Sequence, residues 1–302
     1  MSIQVEDVSK KYGNQFALQE LSFSVGKGEV VGFLGPNGAG KSTTMKILTG
    51  YLKPDTGKAI VTGKDVSEHT IYVKRKIGYL SEANPLYYDM FIKEYLHFIA
   101  RSYQISSPSK RIEEVIDMTG IRPEAHKKTG QLSKGFKQRT GIAAALIHDP
   151  EVLILDEPTS GLDPNQVIEI RNIIKDQGTS KTILFSSHIL SEVEAICKRV
   201  IIINKGKLVA DNTLQQLKQQ TGSMCLRISF NQSLPQDFFT GINGIESITQ
   251  QDQHWMLNGP DVHFIRKQVM DKANDAKLDI VSMVNHQNQL EDIFRMLTEN
   301  KN

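Results

Sequence analysis

One stretch decides how this chain folds: Gly35-Pro36-Asn37-Gly38-Ala39-Gly40-Lys41-Ser42-Thr43. It fits the phosphate-binding loop, or P-loop, in which a glycine and four further residues precede glycine, lysine and serine or threonine. The apolar run at residues 30–34 predicts a buried strand before the loop, and residues 44–48 predict a helix after it. This order of strand, loop and helix favours nucleotide binding over an ordinary glycine-rich turn.

The residue types in the loop suit an anionic ligand. Glycines let the backbone curl until successive N–H groups point at one phosphate. The helix behind the loop adds unpaired N–H groups and the positive end of its dipole. Lys41 can then reach the β- and γ-phosphates, and the Ser42 hydroxyl can bind Mg²⁺. We therefore expect a nucleotide and Mg²⁺ as cofactors.

The composition limits the other classes of function. The chain has 302 residues, enough for two domains, and its net charge of +2 gives no basic footprint for nucleic acid. Cys197 and Cys225 form no close-spaced motif, so we expect the reduced thiols of a cytosolic protein. Residues 1–7 do not resemble a signal peptide, and no apolar run approaches the roughly 18 residues of a membrane span. We expect a soluble protein that meets a membrane only through a partner.

Two kinds of strand are predicted around the loop. Residues 3–8 and 21–25 alternate apolar and polar side chains, which predicts half-buried antiparallel strands. The apolar strands at 152–157 and 182–188, the first ending in two carboxylates and the second in a histidine, alternate with helices, which indicates a parallel sheet covered on both faces. Ligands of such sheets bind at the carboxyl ends of the strands. Tyr12, on a predicted turn, has an aromatic ring that can stack on an adenine, with local packing as the alternative.

Three polar residues follow the apolar strands. Asp156 is the expected Mg²⁺ carboxylate, and Glu157 is the expected base that activates a water for attack on the γ-phosphate. His188 ends the next strand and can hydrogen-bond the γ-phosphate and hold that water. The alternatives are a solvated strand end for the two carboxylates and a structural role for the histidine.

The residue pattern changes at two points along the chain. Residues 86–148 are mostly helical by their apolar spacing and form a predicted subdomain. After about residue 212 glutamine and asparagine become frequent and the motifs stop. Strands predicted at 224–230 and 280–284 and a helix at 262–273 indicate a small α+β domain without catalytic residues. We expect an ATPase domain at 1–215 and an accessory domain at 216–302.

A second motif makes the resemblance to a family specific. Leu132-Ser133-Lys134-Gly135-Phe136, with Gln138-Arg139 after it, resembles the signature of ABC-type ATPases, usually Leu-Ser-Gly-Gly-Gln. Residues 155–164 resemble the Walker B motif and D-loop of that family, and order and spacing match over residues 1 to about 215. The resemblance implies an α/β fold with a mixed sheet core, a helical subdomain, an N-terminal antiparallel sheet and a small C-terminal α+β domain.

The resemblance also implies how the protein works. Two copies pack head to tail, and each ATP lies between the P-loop of one copy and the signature of the other. Ser133 and Gly135 face the γ-phosphate across that interface, Asp163 lies near the partner's P-loop, and Tyr12 stacks on the adenine. ATP closes the dimer, hydrolysis reopens it, and a separate membrane permease converts the motion into transport.

Two departures from the family pattern concern the site. Lys134 and Phe136 replace the usual glycine and glutamine of the signature, while Ser133 and Gly135 are retained. Glu82 stands where the family has its Q-loop glutamine. A carboxylate accepts a hydrogen bond from a Mg²⁺-bound water but cannot donate one as an amide does.

Finer resemblances point to a type of transporter. The C-terminal extension ending at 290–294 resembles the subunits of ABC-2-type exporters, and residues 84–90 with Ser133-Lys134-Gly135 resemble the gliding-motility-associated transporter. We therefore expect a cytoplasmic protein, peripheral on the inner face of the cell membrane. Its permease would dock in a groove lined by Asn84 to Met90, with Leu86, Tyr87 and Tyr88 at hand, unless these three residues cover the subdomain's own core. The rival is a soluble ABC ATPase acting on ribosomes or DNA. Such proteins carry two cassettes or a long coiled coil, whereas here only about 115 residues without heptads separate the P-loop from Walker B.

Overall fold

The fold is seen in a computed structural model that describes residues 1–220, 225–251, 254–286 and 290–299. Contacts divide the chain into two compact units, Met1–Leu214 and Gln215–Asn302. Within the described ranges, no helix has both the length and the apolar character needed to cross a membrane.

The described residues of both units form the following strands and helices. The strands are β1 (Ile3–Tyr12), β2 (Gln15–Val25), β3 (Val30–Leu34), β4 (Thr56–Val61), β5 (Lys64–Asp65), β6 (Ile77–Leu80), β7 (Val152–Leu155), β8 (Thr182–Ser187), β9 (Arg199–Asn204), β10 (Lys207–Thr213), β11 (Cys225–Phe230), β12 (Ser247–Gln251), β13 (His254–Asn258) and β14 (Ile280–His286). The helices are α1 (Lys41–Leu48), α2 (Thr70–Lys76), α3 (Ile92–Ser102), α4 (Pro108–Met118), α5 (Lys134–Leu146), α6 (Pro164–Gly178), α7 (Leu190–Ile196), α8 (Leu214–Gln220), α9 (Val262–Asp275) and α10 (Leu290–Glu299).

The first unit contains two sheets. The antiparallel sheet has the order β2-β1-β4-β5, and the larger one has the order β10-β9-β3-β8-β7-β6. In the larger sheet β9, β3, β8, β7 and β6 are parallel, and β10 pairs antiparallel with β9. The carboxyl ends of β3, β7 and β8 therefore meet at one edge, because β8 lies between the other two. This confirms the predicted α/β fold with a mixed sheet and an antiparallel sheet.

Helix α1 packs where the two sheets face each other. Met45 and Leu48 are fully buried in one hydrophobic cluster with residues of β1, β2 and β3. Phe23 of β2 and Phe33 of β3 lie 5.3 Å apart between ring centroids, which joins the two sheets directly. Because this core holds α1 against β3, it also fixes the loop that connects them.

The structure differs from the sequence analysis at one predicted turn and contains one helix that was not predicted. Tyr12 was expected on a turn, but it is the last residue of β1, and only Gly13 and Asn14 form the turn into β2. The strand continues because backbone pairing with β2 extends to the pair of Tyr12 and Gln15, even though the apolar alternation stops at Val8. Helix α2 was not predicted, since its seven residues expose one face and bury mainly Val73.

The second unit is a four-stranded antiparallel sheet with the order β12-β13-β11-β14. Helix α9 buries Ile265 and Val269 in a cluster with residues of β11 and β13. The aromatic rings of Phe239 and Trp255 lie 5.1 Å apart in the same cluster. The strand predicted from Met224 begins at Cys225, and Met224 lies outside the described residues.

His148, which follows α5, contacts the end of α3 through Tyr103 and the start of β6 through Ile77. Its ring stacks on Tyr103 with 3.8 Å between centroids, and its Nε2 lies 3.0 Å from the carbonyl oxygen of Ile77. Because that partner only accepts, Nε2 carries the proton and donates. Burial, together with smaller effects of the positive charges of Lys181 and Arg111, lowers the pKa of His148 to about 4, although the hydrogen bond to Ile77 opposes the shift.

The low pKa of His148 predicts a loss of stability in weak acid. Between pH 6.5, the ordinary histidine pKa, and about 4 the unfolded chain binds a proton that the folded chain does not. The free energy of unfolding should therefore fall by about 3 kcal/mol on acidification through this window, beyond what other groups contribute. Urea unfolding at pH 7 and pH 4.5 would measure it. His148→Gln should reduce the drop, and His69→Gln, at an exposed histidine, should not. An equal drop in wild type and His148→Gln would contradict this assignment.

Candidate functional site

A cavity of about 560 Å³ opens at the carboxyl edge of the large sheet. Its lining combines the P-loop with residues from distant parts of the chain: Tyr12, Gln15, Phe16, Ala17, Pro36, Asn37, Gly38, Gly40, Lys41, Ser42, Thr43, Glu82, Glu157, Ser160 and His188. The structure therefore brings together most of the residues that the sequence singled out. Gly35 and Ala39 belong to the same loop but lie behind its surface.

The P-loop has a conformation that depends on its glycines. Gly40, immediately before α1, has φ of +107°, a region that residues with a side chain rarely adopt. A Cβ there would lie 2.6 Å from Leu18 Cδ2 and 2.7 Å from the carbonyl oxygen of Ala17. The loop thus lies close against β2, and only glycine fits at this point.

Lys41 is the first residue of α1, and its side chain is 7% exposed. Its ammonium donates to the carbonyl oxygen of Gly35 at 2.8 Å and lies 3.3 Å from Glu157 Oε1. The cation is therefore folded over its own loop and neutralised by a carboxylate from the end of β7. An anion in the cavity would meet this ammonium and compete with Glu157 for it.

Glu157 connects the lysine to the histidine. Its Oε2 lies 2.8 Å from Nδ1 of His188, and its backbone N–H donates to the Ser186 hydroxyl at 2.8 Å. Its φ is +50°, an uncommon conformation for a residue other than glycine, and such backbone strain is typical of functional sites. The arrangement holds one carboxylate between a cation and an imidazole, with both partners facing the cavity.

Asp156 lies just behind this group and is 2% exposed. Its Oδ1 accepts a hydrogen bond of 2.7 Å from Ser186, the hydroxyl that also receives the N–H of Glu157. Ser42 adds a hydroxyl from the cavity wall. These oxygen donors suit Mg²⁺, a hard cation. No cluster of three His, Cys, Asp or Glu side chains that could hold a metal occurs in the described part of the chain.

The far end of the cavity is aromatic. Tyr12 and Phe16 are both exposed, and the ammonium of Lys11 lies 4.2 Å above the Phe16 ring. Two rings at the edge of a cavity of this size can cover a flat heterocycle. Glu82, in the loop after β6, lines the cavity as well.

Three predicted residues lie elsewhere. Ser133 is the exposed N-cap of α5 and accepts a hydrogen bond from the N–H of Phe136, and Asp163 caps α6 in the same way through the N–H of Gln166. Gly135 is buried, and a Cβ there would lie 2.6 Å from the side chain of Gln166. None of the three lines the cavity of its own chain, so a role at a nucleotide would require a second chain.

A second depression, of about 700 Å³, lies between the sheet edge and the helical region, and we call it the groove. Its lining includes Tyr51, Tyr79, Tyr95 and Tyr103 as well as Asn84 and Pro85. Lys46 and Lys74 are its charged residues, and among the described residues no aspartate or glutamate lines it. Its walls are therefore aromatic and its charge is positive.

Of the predicted docking stretch Asn84 to Met90, Asn84 and Pro85 line the groove, whereas Leu86, Tyr87 and Tyr88 are not among the described residues that line it. Leu86 is buried, and Tyr87 packs edge-on against Phe98 of α3 at 5.5 Å. Tyr88 lies outside, with the Lys137 ammonium 4.9 Å above its ring. Tyr87 therefore packs on α3 and Tyr88 lies beside α5, which agrees with the alternative that these residues cover the helical region.

Sequence reasoning missed several contributors to the site. Ser186 holds both Asp156 and Glu157, and the signal for it was a buried hydroxyl residue that directly follows the apolar run of β8. Phe16 and Ser160 line the cavity without any motif to mark them.

Comparison with known proteins gives consistent matches. A sequence model described as ABC transporter matches residues 18–160. The bacitracin transport ATP-binding protein BcrA of Bacillus licheniformis is 40% identical over 220 residues, 72% of each chain. The linearmycin resistance ATP-binding protein LnrL of Bacillus subtilis is 31% identical over 304 residues, 98% of each chain.

Solved structures agree with these relatives. An ATP-binding subunit of an ABC transporter superposes with a TM-score of 0.67 at 30% identity and covers 74% of this chain and 94% of its own. A dimeric ATP-binding cassette in a post-hydrolysis state, bound to ADP and Pi, superposes with a TM-score of 0.65 at 25% identity. It covers 70% of this chain and 98% of its own.

Proposed function

Because this chain belongs to the family of ABC transporter ATP-binding subunits, we propose that it drives an ABC-2-type membrane transporter by binding and hydrolysing ATP. The observation that carries the proposal is the convergence of Lys41, Glu157 and His188 on one cavity. Purified protein should release phosphate from ATP, and protein isolated from membranes should carry a permease subunit with it. Absence of both would contradict the proposal.

The site residues divide the work between binding and chemistry. The P-loop N–H groups and the α1 N-terminus bind the phosphates. The ammonium of Lys41 then leaves Glu157 and pairs with the phosphates instead. Glu157, released from the lysine, takes the proton of the attacking water. His188 holds the opposite carboxylate oxygen and orients that water against the γ-phosphate. Tyr12, with Phe16 beside it, stacks on the adenine.

Ser42 and Asp156 would hold Mg²⁺ together with the phosphates, and Glu82 would accept from a water of that ion. The bound ion would neutralise charge that develops on the phosphate oxygens. Within the chain, Ser186 keeps Asp156 and Glu157 at a fixed spacing.

A second copy completes the site in this proposal. Ser133, at the exposed end of α5, offers a hydroxyl and a helix N-terminus to the γ-phosphate bound by a partner, and the Gly135 N–H in the first turn of α5 adds to that N-terminus. Asp163 is exposed at the start of α6, where it can reach the partner's P-loop. The dimeric cassette among the similar structures supports this arrangement.

The groove is the proposed docking surface for the permease. Its aromatic walls suit the anchoring side chains of an interface. Its positive charge favours a docking segment with acidic residues. Such docking would place the protein on the inner face of the cell membrane.

Lys74→Glu should test this docking surface. The ammonium of Lys74 lies 4.8 Å from the ring of Tyr51 at the edge of the groove. Reversing its charge should lower the membrane-bound fraction about tenfold, as expected for a charge facing an opposite charge. Cell fractionation measures that fraction, with ATP binding as a check of folding.

Two variants serve as comparison. Lys53→Glu makes the same charge change at an exposed lysine outside the groove, and Tyr87→Ala with Tyr88→Ala changes the aromatic pair that the structure places elsewhere. Both should keep normal recruitment. If folded Lys74→Glu protein is recruited as well as wild type, the groove is not the docking surface.

Specific observations support two different types of transporter. Residues 84–90 and Ser133-Lys134-Gly135 favour a gliding-motility-associated transporter. The names of the two relatives, which refer to bacitracin transport and linearmycin resistance, favour a drug exporter instead. Deleting the gene and measuring surface spreading and bacitracin susceptibility would separate them, because each hypothesis predicts only one defect. Both relatives are transport or resistance subunits, which supports a transporter over the ribosome- or DNA-acting alternative.

A further inference from the structure

Glu192 of α7 is a buried carboxylate that the proposed mechanism does not use. It is 3% exposed, and its Oε2 accepts hydrogen bonds from two hydroxyls, Thr159 at 2.5 Å and Ser187 at 2.9 Å. Across the described residues, no lysine, arginine or histidine forms an ion pair with it. A buried carboxylate without a cation is costly, and two hydroxyl donors offset that cost only in part.

The two hydroxyls come from segments that reach the cavity separately. Thr159 directly precedes Ser160, a cavity residue in the loop after β7. Ser187 directly precedes His188, the cavity residue that contacts Glu157 at 2.8 Å. The same Ser187 hydroxyl also accepts the N–H of Ile189 at 3.0 Å, which fixes the turn that carries His188. One carboxylate oxygen therefore holds two sides of the cavity together from behind.

We propose that Glu192 is a positioning residue that couples the loop at 158–163 to His188. This inference rests on the proposed function, because it assigns a regulator to that same site. The loop runs from Glu157 to the exposed Asp163, where the second chain would make contact. When this loop moves, Thr159 moves with it. Because Thr159 and Ser187 both hydrogen-bond to Glu192, the movement also displaces Ser187 and the adjacent imidazole of His188. Contact with the partner thereby sets the position of His188 against Glu157.

The coupling predicts a loss of turnover without a loss of ATP binding. Glu192→Ala should lower kcat about tenfold or more, since small displacements of a catalytic group are costly, while the Kd for ATP stays within about twofold. Thr159→Val removes only one of the two hydroxyls and should have a smaller effect in the same direction. Glu192→Gln should restore most of the lost turnover, because its amide oxygen can accept both hydroxyls.

The double variant distinguishes coupling from independent damage. If Thr159 acts through Glu192, adding Thr159→Val to Glu192→Ala should cost no further turnover. Phosphate release gives kcat and KM, calorimetry gives the Kd for ATP, and thermal unfolding reports on stability. Should Glu192→Ala fail to fold, Thr159→Val against Thr159→Ser gives the same comparison with smaller changes.

Three results would overturn the proposal: normal kcat in folded Glu192→Ala protein, a Kd for ATP that rises with the fall in kcat, or additive effects in the double variant. Failure of the proposed function looks different, because wild-type protein itself would then neither bind nor hydrolyse ATP.

Discussion

Lys41→Ala protein should bind ATP about 100-fold more weakly than wild type, because each lost charge-assisted hydrogen bond contributes roughly 1.5–3 kcal/mol. The ammonium already lies in a nearly closed site, where it bonds to Gly35 and faces Glu157 at 3.3 Å. Its removal takes away the cation that meets the phosphates. It also leaves Glu157 unneutralised, and that carboxylate would then repel the incoming anion.

Titration calorimetry with ATP measures this loss, and circular dichroism shows whether the variant is folded. Lys46→Ala is a matched control, since Lys46 lies on the same helix but faces the groove rather than the cavity. Lys41→Met keeps the aliphatic stem and should lose affinity to a similar extent. ATP affinity within about twofold of wild type in both Lys41 variants would show that the phosphates bind elsewhere.

Glu157→Gln should separate chemistry from binding. The amide keeps the shape of the side chain and its neighbours Lys41 and His188, but it cannot take a proton from water. Phosphate release should therefore fall about 10²- to 10⁴-fold, the range that a general base contributes. ATP affinity should be retained or increased, because Lys41 no longer has to leave a carboxylate.

A phosphate-release assay and calorimetry on the same preparation give both quantities. Glu151→Gln is the control at the other end of β7, where Glu151 pairs with Lys76 on the surface at 2.5 Å. It should hydrolyse ATP normally. Undiminished turnover of Glu157→Gln would mean that another group activates the water.

The sequence predicted the parts of the site that depend on local spacing. Glycine and lysine positions defined the P-loop, and the strand ends placed Asp156, Glu157 and His188 at one edge. Ser133, of a residue type that often precedes a helix, is the N-cap of α5 in the structure.

Contacts between distant residues were beyond such reasoning. The ion pair of Lys41 and Glu157 exists because β8 lies between β3 and β7, a strand order that no local pattern encodes. The positive φ of Glu157 is imposed by its surroundings. Tyr87 illustrates the limit on the surface: its aromatic character was evident, but packing against Phe98 decides where it points.

The most direct test of the account is the mass of the Glu157→Gln protein with and without ATP and Mg²⁺, measured by sedimentation equilibrium. If two copies share each ATP, the protein should have the 33.9 kDa mass of one chain without nucleotide and twice that mass with it. Ser133→Arg, at the exposed end of α5, should keep ATP binding and prevent the shift. A Glu157→Gln protein that binds ATP with normal affinity and stays at the mass of one chain would contradict the shared site.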